Sequence, residues 1–66
     1  MQFLLFDYQS ETHPQNLNTE QVFDYIADAP YSTTIISIFD EWQKQADIGE
    51  YLEVEDYTIV RIKSND

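Results

Sequence analysis

The 66 residues contain no cysteine, so neither a disulfide nor a thiolate-bound metal can staple this chain. A domain of this size buries only about 60% of the surface that its unfolded chain exposes. Any fold must therefore rest on one thin apolar core. The material for that core is present: 42% of the residues are hydrophobic and 15% aromatic, more than a wholly disordered acidic chain carries. One glycine and two prolines leave few forced breaks, so element boundaries must be read from caps and periodicity. The length predicts a single domain over 1–66, with 64–66 as a frayed tail.

Met1 to Tyr8 reads as a strand, with Phe3 and Leu5 on one face and Leu4, Phe6 and Tyr8 on the other. Two apolar faces place it centrally in a sheet. Gln9 to Asn16 reads as a polar loop. Asn18 is an N-cap and Gln21 its capping-box partner, while Leu17 and Val22 occupy hydrophobic-staple positions. Val22, Phe23, Ile26 and Ala29 then form a helical stripe. Pro30 biases Ala29 away from helix, so this helix is expected to close near Asp28.

Ser32 to Phe39 is rich in β-branched residues, which suits a strand. Yet Ile35, Ile38, Phe39, Trp42 and Ala46 share a helix face. We read one helix from about Thr33 to Asp47, capped by Ser32 or Thr33 and followed by a left-handed turn at Gly49. The alternative is a strand over 31–37 and then a short helix. Glu50 to Val54 and Tyr57 to Lys63 read as two strands around Glu55-Asp56, a poor match to the Asn-Gly type of tight turn. The order β-α-α-β-β predicts an α+β fold, a small antiparallel sheet with two helices packed on one face. Phe3, Leu5, Val22, Ile26, Phe39, Trp42 and Ile59 are its expected core. Five tyrosines and one tryptophan are residue types that interfaces favour, and a sheet with one bare face suits a homodimer.

Several function classes fall away. The longest wholly apolar run, Phe3 to Phe6, is far short of the roughly 20 residues that cross a bilayer. Asp7 ends that run and no Lys or Arg precedes it, unlike a secretory signal; the expected location is cytoplasmic. DNA, RNA and membrane surfaces are anionic and are bound through Lys and Arg. Here Lys44, Arg61 and Lys63 are the only such residues, so no nucleic-acid or membrane binding is expected. The single histidine, His13, precedes Pro14 in a polar loop, where an exposed residue is the ordinary outcome and no triad is indicated. Gly49 alone cannot make a phosphate loop. Glu50, Glu53, Glu55 and Asp56 lack the spacing of a calcium loop and read as the solvated side of a strand. No enzyme activity, cofactor or metal is expected.

What remains is charge. Three basic residues against 13 acidic ones give a formal net charge of −10. Glu20, Asp24 and Asp28 recur every four residues, which on a continuous helix places them within about 80° of arc, opposite the Val22–Ile26 stripe. Like charges so spaced cost about 0.2–0.5 kcal/mol per pair. Asp40, Glu41 and Asp47 extend the acidic set from the second helix. In size and charge the chain resembles the small acidic inhibitors that phages and mobile elements direct against host nucleases, restriction enzymes and CRISPR effectors. That resemblance implies an inhibitor that mimics a nucleic-acid strand to a basic protein. Its contact set would be Glu20, Asp24, Asp28, Asp40, Glu41 and Asp47, with Tyr25 as an anchor beside the row. A second reading stays open: a homodimeric interaction module of antitoxin, immunity-protein or adaptor type. It would bind through Tyr31, Tyr51, Tyr57 or the bare sheet face, with its acids serving solubility.

Overall fold

The computed structural model describes residues 1–10 and 13–63; the tail expected over 64–66 lies outside the described residues. The element order is β1 (Gln2–Asp7), β2 (Gln15–Asn18), α1 (Thr19–Ile26), α2 (Ser32–Gln43), β3 (Tyr51–Val54) and β4 (Tyr57–Ile62). The strands form one antiparallel sheet in the order β2-β1-β4-β3, and both helices cover one of its faces. This is the expected α+β architecture with one strand more. Gln15 to Asn18 is an edge strand, where a polar loop was expected up to Asn16. It pairs Leu17 with Phe3 and Gln15 with Leu5.

Strand alternation decides what is buried. Phe3, Leu5, Val54, Tyr57 and Ile59 face the helices and are buried with Val22, Ile26, Ile35 and Phe39. Full burial of each such side chain contributes about 1.5–3 kcal/mol. Phe39 is the centre of an aromatic cluster, meeting Phe3 and Phe23 edge-on, each with ring centroids 5.2 Å apart. Trp42 lies at the rim of this cluster: it is half-buried, tilted against Phe3 at 5.9 Å and Phe39 at 6.1 Å. The other six expected core residues are fully enclosed.

The start of α1 follows its sequence signals. The Gln21 amide donates to Asn18 Oδ1, and the Asn18 amide donates to Gln21 Oε1, both at 2.9 Å. Its end comes earlier than the expected closure near Asp28. The last helical residue is Ile26, and the Ala29 amide turns back to the Ile26 carbonyl at 3.1 Å. Helix α2 is one helix, not a strand followed by a helix. Its N-cap is Tyr31, in a left-handed conformation (φ 62°) with no side-chain cap, where Ser32 or Thr33 was expected. It stops at Gln43, so Asp47 lies in a loop. Ile38, about 80° from the middle of the Ile35–Phe39 face, stays exposed at 41%.

The segment from Lys44 to Glu50 is fastened to β4 instead. Arg61 Nη1 donates to the Ala46 carbonyl, the Gly49 amide to the Arg61 carbonyl at 2.8 Å, and the Arg61 amide to the Glu50 carbonyl at 2.9 Å. Gly49 is left-handed (φ 94°), as expected, but it turns the chain into β3 rather than closing α2. Glu55 and Asp56 form the two-residue β3–β4 turn, and Glu55 supplies the positive φ (50°) that Gly or Asn usually provides.

Candidate functional site

The acids expected to form a contact surface fall into three settings. Glu20 and Asp24 stand exposed on α1, away from the buried Val22 and Ile26. Asp28 is exposed too, but in the turn beyond the helix. On α1 itself the acidic row consists of Glu20 and Asp24, with Asp28 in the turn that follows. Glu20, in the first turn, also complements the positive end of the helix dipole.

Asp40 and Glu41 are less free. Lys44 Nζ lies 3.4 Å from Asp40 Oδ2 and 3.6 Å from Glu41 Oε1. The nearby carboxylate of Asp40, then that of Glu41, holds the exposed Lys44 ammonium above its ordinary pKa. Asp47 sits in the loop before β3, where its amide donates to Glu50 Oε1 at 3.0 Å.

Tyr25 is half-buried and its polar end faces inward. Its hydroxyl donates to Asp7 Oδ2 at 2.9 Å, and its ring meets that of Tyr57 at 6.2 Å, nearly perpendicular. The side chain anchors α1 to the sheet, so its polar end faces the fold and not a surface beside Glu20 and Asp24.

A cleft of about 270 Å³ opens between the α1–α2 turn and the β3–β4 turn. Asp7, Glu55 and Asp56 line it with Pro30, Tyr31 and Tyr57. Two of these acids are engaged within the fold. Asp7 Oδ1 accepts from the Gln9 amide at 3.0 Å, and Asp56 Oδ2 accepts from Gln9 Nε2 at 2.8 Å. Burial, then the negative charges of Asp7 and Asp56, raises the Tyr57 phenol above its ordinary pKa. The cleft is assembled from three segments distant in sequence, so no local pattern announces it. Two non-glycine residues with left-handed backbone, Tyr31 and Glu55, stand on its walls. Among the described residues, no three His, Asp or Glu side chains converge as metal ligands would. Nor is any helix among them long and apolar enough to cross a membrane.

The few cations are largely committed inside the fold. Lys44 is paired with its own helix and Arg61 with the Ala46 carbonyl, so neither compensates Glu20, Asp24 or Asp28. Against known proteins, no family model, no curated protein and no solved structure matches this chain.

Proposed function

We propose that this protein is a small acidic inhibitor that occupies a basic, nucleic-acid-binding surface of a partner protein by charge mimicry. The observation that carries this reading is the exposed, cation-free row of Glu20, Asp24 and Asp28. A one-sign field destabilises the compact state by self-repulsion. On α1 that repulsion could have been relieved by a single Lys, and none is present. Glu20 and Asp24, about 6 Å apart along the helix axis, are spaced comparably to backbone phosphates, and Asp28 in the following turn adds a third charge. Lys and Arg lining a groove are attracted to either by screened Coulomb forces, although only the nucleic acid adds release of condensed counterions. The field also speeds encounter and fixes register on a basic surface. The chain would act in the cytoplasm, as an anti-restriction or anti-CRISPR factor of a phage or mobile element would, without chemistry of its own.

The test replaces Glu20, Asp24 and Asp28 together by Gln, Asn and Asn. Partners are captured from a nuclease-treated bacterial lysate on immobilised wild-type and variant protein, at roughly 50 and 200 mM salt. Mimicry predicts a basic nucleic-acid-binding protein that is retained by wild type at low salt, released at high salt and absent from the variant. Equal retention by both proteins at both salt concentrations contradicts the reading.

A further inference from the structure

We propose that the outer face of the sheet is a symmetric interface between two copies of this chain. The face is defined by register. Tyr51 pairs with Val60 and Val60 with Leu4, giving an apolar row across three strands. Phe6 and Ile62 flank it on the same side. The Tyr8 and Thr58 hydroxyls share a hydrogen bond of 3.1 Å, which lays the Tyr8 ring over this face beyond the end of β1. Tyr8 is 70% and Tyr51 63% exposed, and aromatic side chains are enriched at interfaces.

Charge selects the occupant. Among the described residues, the only charged side chain on this face is Glu53, at the β3 edge. A basic partner finds almost nothing here to complement its cations. A second copy does fit, because the charges that would repel it are elsewhere. The acids of α1 and α2 lie on the far side of a molecule whose shortest extent is 18 Å. Face-to-face pairing therefore keeps the two helix layers well beyond the Debye length of about 8 Å at physiological salt.

Area is sufficient for a modest dimer. Two strands of six residues and two of four, about 4.8 Å apart and rising about 3.3 Å per residue, present roughly 300 Å². The two protruding tyrosines add on the order of 200 Å². The sum, about 500 Å² per copy, is below the roughly 800 Å² per partner of a standard interface, so the dimer is expected to be weak and to form at high micromolar concentration. The inference is independent of the mimicry reading: a dimer would present the acidic helices outward on both sides.

Sedimentation equilibrium of the full chain tests it, at concentrations from about 1 μM to about 1 mM, bracketing the expected affinity. The mass should rise from 7.8 kDa toward twice that value. Higher salt should leave association unchanged or strengthen it. Tyr51→Glu and Tyr8→Glu should each weaken it at least tenfold. Both positions are exposed, so the variants should melt close to wild type, and melting curves verify this. A wild-type chain that stays monomeric throughout overturns the proposal, even if the face binds some other protein. So does a dimer indifferent to both substitutions, or one that dissociates as salt is raised.

Discussion

The Tyr25 hydroxyl donates to Asp7 Oδ2 at 2.9 Å, tying the last turn of α1 to the end of the central strand β1. A half-buried hydrogen bond to a charged acceptor contributes about 1.5–3 kcal/mol. Tyr25→Phe keeps the ring contact with Tyr57 and removes the hydroxyl that makes this bond. Urea unfolding should show a loss of about 1.5–2 kcal/mol, the lower part of that range because water can reach Asp7. An unchanged midpoint would mean that solvent replaces the hydroxyl at no cost.

Tyr57 gives the fold a dependence on alkaline pH. Its phenol is raised above the ordinary value of 10.0 by burial, then by Asp7 and Asp56. The neutral phenol is favoured in the folded state, so its contribution is intact below the ordinary phenol range. That contribution is lost as pH rises through the folded value, because the unfolded chain ionises first. A phenolate absorbance titration should show a late-ionising group that is lost in Tyr57→Phe. A late part of the curve that is unchanged by Tyr57→Phe would contradict the assignment.

Glu55 supplies a left-handed turn residue at φ 50°, a conformation that costs an L residue about 1–2 kcal/mol and that Asn tolerates better. Glu55→Asn should stabilise the hairpin by about 0.5–1 kcal/mol, read as a higher thermal midpoint. A lower midpoint would show that the Glu55 side chain makes a compensating contact.

Arg61 holds the loop after α2 through the Ala46 carbonyl. Arg61→Met retains an unbranched apolar stem and removes the donor. Unfolding stability should fall by about 1–2 kcal/mol. Amide exchange at Gly49, which donates to the Arg61 carbonyl, should accelerate together with the surrounding loop. Exchange at the wild-type rate would show that the backbone bonds alone fix this segment.

How much of this could be read from the residues follows the range of the forces involved. The start of α1 was legible because Asn18 and Gln21 are three residues apart and satisfy each other locally. The central place of β1 was legible because both of its faces are apolar. Strand β2 was missed because an edge strand needs only one inward apolar residue, Leu17, and its Gln and Asn neighbours resemble a loop; the alternation of half-buried Gln15 and Leu17 with exposed Asn16 and Asn18 was its faint signal. The end of α2 was placed too late because Ala46 is buried, as the helical spacing demanded. It is buried in a loop strapped to β4 by Arg61, fifteen residues away in sequence. At the candidate site, the exposure of Glu20 and Asp24 followed from periodicity. The pairing of Asp40 and Glu41 with Lys44 followed only in part. The inward turn of Tyr25 depends on Asp7, a partner on a distant strand.

The same geometry revises what neutralising the acidic row should do to stability. Only Glu20 and Asp24 form a like-charge pair within α1, because Asp28 lies past its end; relieving that pair gains about 0.2–0.5 kcal/mol. Losing the Glu20 charge at the helix N-terminus costs a similar amount. The triple variant Glu20→Gln, Asp24→Asn, Asp28→Asn should therefore melt within about 0.5 kcal/mol of wild type. A larger loss would show that the row is part of the fold.

Competition with nucleic acid tests mimicry most directly. The partner captured from lysate is bound to immobilised wild-type protein, and a duplex or single-stranded oligonucleotide is titrated against the complex at constant ionic strength. The account predicts that the oligonucleotide displaces the protein from its partner, while the protein itself does not bind the oligonucleotide. A complex that persists when the partner is saturated with nucleic acid would contradict charge mimicry.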